Sequence, residues 1–201
     1  SYSGYLSSGL GGSVQYQFGG DDDIKREISS AGISSGALYF SFLINMTDGN
    51  TTQDYFISLM STNNADYYGK KKKKKNGSQY NLGLSKYNTS ADNWSGLLNF
   101  NTTYLIIVKY EYVTGGVNDP FKMWVVTSGV PATEVGAGTS IDATTSGTDV
   151  LPAGHKYLGL RQTGKENGFV DGIRVATSWE SLFCGTMPPS TSYTWTGASS
   201  S

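Results

Sequence analysis

Five residues stand out as candidates for ligand chemistry: Trp124 in "FKMWVVT", Lys109 and Glu111 in "TYLIIVKYEYV", Arg161 in "KYLGLRQT" and Arg174 in "GFVDGIRVATSW". In the first segment Phe121, Met123 and Val125 share one phase of a strand, leaving Lys122, Trp124 and Val126 on the other. An indole beside a lysine on the polar phase suits carbohydrate. The ring offers a platform to the apolar face of a sugar, and the charged groups hold its hydroxyls. These five residues form the candidate glycan face.

Catalysis is harder to build. Glycoside hydrolysis needs two carboxylates about 5–5.5 Å apart for retention, and sandwich glucanases carry them on one strand in an E-x-D-x-E-like spacing. No such triplet occurs, and Glu111 stands alone in "KYEYV". Asp171 is expected to face inward with Phe169, Ile173 and Val175, satisfying backbone donors. His155 follows Gly154 in a loop without a neighbouring Ser, Cys or acid, and reads as a surface or loop histidine. Asp21, Asp22 and Asp23 in "GGDDDIK" are weak candidates for a structural calcium site, as is "TDGN", although a solvated turn is the simpler reading. No His/Cys zinc set, phosphate-cradling loop or nucleotide fingerprint is present, so no other cofactor is expected.

The elements that must position these groups are strands. Segments 36–47, 54–61, 79–87, 103–113, 121–127, 156–163 and 168–179 are rich in β-branched and aromatic residues. Turn chemistry such as "DGN", "NGS", "TGGVNDP" and "KENG" separates them. Only "SWESLF" suggests a turn or two of helix. In 103–113 the row Tyr104, Ile106, Val108, Tyr110 and Tyr112 is core-like, and the row Leu105, Ile107, Lys109, Glu111 and Val113 carries charge. Many strands with almost no helix predict an all-β fold, a two-sheet antiparallel β-sandwich or a barrel.

The stretch "GFVDGIRVATSWESLF" is similar to the closing strand of concanavalin A-like lectin/glucanase (laminin-G-like) jelly rolls. The wider series "YLSSGLGGSV", "GGDDDIKREI", "GALYFSFLINMTDGNTTQDYFISL", "NTTYLIIVKYEYVTGGVNDPFKMWV" and "LGLRQTGKENGFVDGIRVATSW" resembles modules of large secreted or surface proteins of Bacteroidetes-type bacteria. The resemblance spans most of residues 5–183. It implies a concanavalin A-like jelly roll without assigned catalysis. It also implies one or two further strands before "SGYLSSG", so that the chain begins inside its domain.

Six consecutive lysines, Lys70–Lys75, sit uneasily in that frame. Formal net charge is −1, but without them 9 basic residues face 16 acidic ones, so the run is a basic spot on an acidic body. A strand with lysine on both faces would turn about three ammonium groups inward, each costing several kcal/mol. The run also breaks the basic/apolar alternation such modules show here. The expectation is a protected edge strand or a solvated loop, ahead of a polyanion-binding patch. Nucleic acid is not an expected partner, because the sequence does not interleave aromatics with the charge.

The length suits one domain, 1–187, with a Ser/Thr/Pro-rich linker or the start of a following module at 188–201. Lone Cys184 forms no internal disulfide. Six N-x-S/T sequons, at Asn45, Asn50, Asn76, Asn88, Asn93 and Asn101, would suggest glycosylation in a eukaryotic secreted protein, although roughly three would arise by composition alone. No apolar stretch suits a transmembrane helix, and no membrane insertion is expected. These features predict a non-catalytic adhesion or glycan-binding module of a secreted or cell-surface protein. Its partners would be polysaccharide, surface glycan or neighbouring modules. The alternatives are a glycosidase of this class and a structural spacer.

Overall fold

A computed structural model describes residues 2–6, 8–19, 23–61, 67–87, 93–143, 149–150, 153–162 and 166–183. Its strands are β1 (Val14–Tyr16), β2 (Asp23–Glu27), β3 (Gly36–Gly49), β4 (Asp54–Met60), β5 (Tyr67–Asn76), β6 (Gln79–Ser85), β7 (Asn93–Trp94), β8 (Leu98–Asn99), β9 (Tyr104–Tyr112), β10 (Phe121–Val126), β11 (Ile141–Asp142), β12 (Tyr157–Arg161) and β13 (Glu166–Ala176). Among the described residues one α-helix, α1 (Trp179–Phe183), follows in "SWESLF". Each of the seven segments read as strands overlaps one.

The fold is all-β, a jelly-roll sandwich of two antiparallel sheets. The first sheet runs β1-β13-β3-β9-β10-β11; the second runs β2-β12-β4-β5-β6-β7, with β8 also on β6. Between them lies an aromatic core that includes Phe40, Phe42, Phe56, Tyr80, Tyr110 and Phe121. The alternation read from β9 and β10 holds: Ile106, Val108, Tyr110, Phe121 and Met123 face this core.

A second cluster lies on the opposite side of the first sheet. Tyr39, Leu43, Leu105, Ile107 and Trp124 pack there against Tyr2, Tyr5, Trp179 and Leu182. The N-terminal segment and α1 thus fold back over the sheet as a partial third layer. Tyr2 donates to the Val126 carbonyl at 3.0 Å, Tyr5 donates to the Gly172 carbonyl at 2.6 Å, and the Trp179 indole donates to the Pro131 carbonyl at 3.3 Å.

The lysine run forms most of β5, which lies between β4 and β6. The expectation of an edge strand or loop is therefore wrong. Register explains why: Lys71, Lys73 and Lys75 stand opposite core residues Leu84, Leu82 and Tyr80 of β6, and Lys70, Lys72 and Lys74 point the other way. A two-residue turn with Gly77 at φ 63° closes the β5–β6 hairpin. Hairpin closure and two neighbouring strands outweigh the missing apolar alternation.

The inward row meets the low-dielectric interior in three ways. Lys71 is fully buried, with Nζ 4.1 Å from the ring centres of both Phe40 and Phe121 and donating to the Gly69 carbonyl at 2.7 Å. Burial pushes its pKa well below the ordinary lysine value, toward the neutral amine. Lys73 forms a buried ion pair with Glu166 at 2.8 Å; burial lowers its pKa and the carboxylate opposes that shift. Lys75, near the sheet's end, pairs with Asp48 at 2.7 Å and holds that carboxyl below its usual range.

His155 is also buried, contrary to its expected exposure. It bridges to Ile33, and its Nδ1 meets the Tyr112 hydroxyl at 2.7 Å. Burial, then the nearby Lys71, lowers its pKa to about 3, so the imidazole is neutral.

Asp171 is displaced from its expected inward position. A register irregularity between Asp171 and Arg174 changes the phase of β13. Asp171 pairs with Leu43 on the outer side, and Phe169 is 38% exposed. Val170 fills the core and Ile173 packs against it. The carboxylate accepts from the Gly172 N–H at 2.7 Å, a local structural role.

Candidate functional site

The five residues of the expected glycan face do not assemble. Trp124 is 3% exposed: its indole packs on Trp179 with ring centres 5.7 Å apart and donates to the Gly138 carbonyl at 3.1 Å. It is a core residue of the second cluster and offers no sugar platform. Lys109 lies on the same side, paired with Glu111 at 3.1 Å and Glu134 at 3.3 Å. Burial works against its charge, but the Glu111 contact, with Tyr39 and Glu134, outweighs it and raises the pKa. Arg174 donates to the Leu182 carbonyl at 2.6 Å and so ties α1 to β13. Trp124 and Arg174 thus fasten α1, and Lys109 is held by two carboxylates. Arg161 belongs to the other sheet.

The outer side of the second sheet is different. β5 projects Lys70, Lys72 and Lys74 there, and strand geometry places successive members of the row about 6.6 Å apart. Rings flank them. Lys70 Nζ lies 5.4 Å from the ring centres of both Tyr55 and Tyr87. Lys74 Nζ sits 4.4 Å from Trp94, and the Arg161 guanidinium 4.4 Å from Tyr55. Tyr67 packs on Tyr55 with ring centres 5.7 Å apart.

Neighbouring strands keep this surface low and fixed. Gly83, opposite Lys72 on β6, and Gly159 on β12 add no side chain to it. Lys70 is anchored by donating to the Tyr87 carbonyl at 3.0 Å, and Arg161 by donating to Asp54 at 2.9 Å. Burial, then Arg161, lowers the Lys70 pKa. Lys72 at the centre of the row is 3% exposed, whereas Lys70 and Lys74 at its ends are half-buried and Tyr87 is 42% exposed. The surface therefore presents two ammonium groups, one guanidinium and several ring edges and faces.

Sequence reasoning missed this site because it expected an edge strand or solvated loop and looked for aromatics only within the run itself. The signal lay in period 2: once β5 is a strand, every second lysine shares a face with aromatics of its neighbours, and "DYF", "KYN" and "NWS" flank it in the sequence.

Asp21 and Asp22 lie outside the described residues. Asp23 begins β2, and its carboxylate accepts from the Gln162 N–H at 3.1 Å. Asp48 of "TDGN" is taken by Lys75. Among the described residues no cluster of three His, Cys, Asp or Glu side chains could hold a metal. No helix among them is long and apolar enough to cross a membrane.

No family model and no curated protein sequence matches the chain. Solved structures with a similar course include a heptameric SAP-like pentraxin of Limulus polyphemus, with 12% identity and TM-score 0.47 over 83% of this chain and 76% of that one. A family 7 alginate lyase has 8% identity and TM-score 0.48 over 85% and 74%, and human galectin-16 has 8% identity and TM-score 0.39 over 78% and 94%. At such identities and scores, none bears on what this chain binds.

Proposed function

We propose that the chain is a non-catalytic glycan-binding module, acting through the outer face of its second sheet within an extracellular or cell-surface protein. The observation that carries this reading is the row Lys70–Lys72–Lys74 set among Tyr55, Tyr67, Tyr87 and Trp94, with Arg161 at its side. Rings receive the apolar faces of sugars, and fixed cations orient their oxygen substituents. Two carboxylates border this constellation: Asp54 accepts from Arg161, and Asp23, opposite Arg161 on β2, accepts from the Gln162 N–H. Both are engaged in the protein's own hydrogen bonds, and the rings and lysines between them are groups that hold a sugar.

Affinity electrophoresis through gels containing single polysaccharides tests the reading. The wild-type chain should be retarded by at least one of them. Joint replacement Tyr87→Ala and Trp94→Ala should abolish the retardation with little change in thermal stability, since both rings lie on the outer face. Loss of about 1 kcal/mol per ring weakens binding roughly fivefold for each. No retardation in any gel, or an unaltered double variant, would refute the assignment.

A further inference from the structure

We infer that the glycan taken by this face is anionic, a polymer bearing carboxylates or sulfates that Lys70, Lys74 and Arg161 read. The inference rests on the glycan-binding reading above and adds the chemical class of the ligand. Three observations carry it.

The first is the sign of the polar groups. A neutral sugar is held by balanced donors and acceptors, such as amides and carboxylates. Around these rings the side chains are instead dominated by cations, which donate and do not accept. Asn81, an amide that could have served, donates to the Ser95 carbonyl at 2.8 Å. Asp54 is bound to Arg161.

The second is where the charge of the lysine run ends up. The inward row is taken up internally: Lys73 by Glu166, Lys75 by Asp48, and Lys71 by the Phe40 and Phe121 rings and the Gly69 carbonyl. Lys70 and Lys74 of the outward row contribute positive charge at the surface of a chain that has 16 acidic residues. A polyanion is repelled by most of that body and attracted to this face, which fixes where it binds.

The third is spacing. Lys70 and Lys74 are four residues apart on one strand, about 13 Å. Each stands beside its own ring, Tyr87 and Trp94. One sugar cannot reach both ends, so the arrangement suits a chain with repeated charged units. A glycan fits better than a nucleic acid, whose affinity draws on many phosphate contacts at once. Here the cations come from one strand and one guanidinium, on an acidic protein.

The test is calorimetric titration of the whole 201-residue chain with five probes: polygalacturonate, the same polymer fully methyl-esterified, dextran sulfate, laminarin and a single-stranded oligonucleotide. Polygalacturonate or dextran sulfate should bind at least about tenfold more tightly than the esterified polymer or laminarin. That preference should shrink between about 0.01 M and about 0.15 M NaCl as screening sets in. The variant Lys70→Ser/Lys74→Ser should lose the preference for the charged polymers while keeping the wild-type melting temperature. Preference for polygalacturonate would identify carboxylates, and preference for dextran sulfate would identify sulfates; both support the inference. Equal, salt-independent binding of charged and esterified polymer would overturn the anionic class and leave the glycan-binding reading standing. Absence of binding to every glycan would overturn both. Tighter binding of the oligonucleotide would overturn the choice of a glycan.

Discussion

The two sheets present outer faces of similar composition and opposite fate. On the first, Trp124, Tyr39, Leu105 and Ile107 lie under Tyr2, Tyr5, Trp179 and Leu182, while Lys109 beside them is held by Glu111 and Glu134. On the second, Trp94, Tyr55, Tyr87, Lys70 and Lys74 form a comparable set of rings and charges that stays at the surface. Aromatic residues on the polar phase of a strand thus mark either a second core or a binding surface. Which one they mark depends on distant segments that fold back, not on the strand's own pattern.

The largest expected effect falls on the covered face. Trp124→Ala removes a buried indole together with its hydrogen bond to the Gly138 carbonyl. It should destabilise the chain by about 3–5 kcal/mol in urea melts. Glycan binding by the remaining folded protein should be unchanged; a stable Trp124 variant with lost binding would reverse the roles of the two faces.

Next come the inward lysines. Lys73→Met leaves Glu166 buried without its 2.8 Å partner and should cost about 3–5 kcal/mol. Adding Glu166→Met should recover much of that loss, because the pair is replaced by apolar volume. A double-mutant cycle measures the coupling, and a near-zero value would contradict the buried pair.

Lys71→Met should instead stabilise, by about 1–4 kcal/mol at neutral pH, because it removes an amine held between Phe40 and Phe121 without a carboxylate. Its folded pKa is depressed, so the unfolded chain binds the extra proton. The wild type should therefore gain stability as pH rises toward the unfolded lysine value, by up to about 1.4 kcal/mol per pH unit from this residue. Melts of wild type and Lys71→Met from about pH 7 to about pH 9.5, below tyrosine ionisation, should converge as pH rises; parallel curves would show that Lys71 keeps its proton. His155, with a folded pKa of about 3, acts in the same sense at lower pH. Its contribution is present above about pH 6.5 and declines as pH falls toward 3.

The smallest stability change is expected on the open face. Trp94→Ala should shift stability by about 1 kcal/mol or less while weakening polysaccharide retention several-fold, which makes it the counterpart of Trp124→Ala.

How far the sequence reveals these features follows the same division. The seven main strands, the helix in "SWESLF" and the core rows of β9 and β10 were legible because each is encoded in local period, composition and turn residues. β5 was not, because uniform lysine carries no phase of its own. Its register comes from β4 and β6. The phase of β13 escaped for another reason: an irregularity after Asp171 cannot be placed from alternation alone. The candidate site was misplaced because Trp124 and Arg161 share a polar phase yet sit on different sheets. Only the strand order separates them.

The most direct test of the central claim, that one lysine run serves two faces of an inner strand, is residue-resolved acetylation of Lys70–Lys75 read by mass spectrometry. Lys70 and Lys74 should label readily in the free chain and be protected by polygalacturonate. Lys71 and Lys73 should stay unmodified until the protein is denatured. Uniform labelling of all six lysines in the native chain, unaffected by polysaccharide, would show a solvated segment and contradict both the buried row and the binding row.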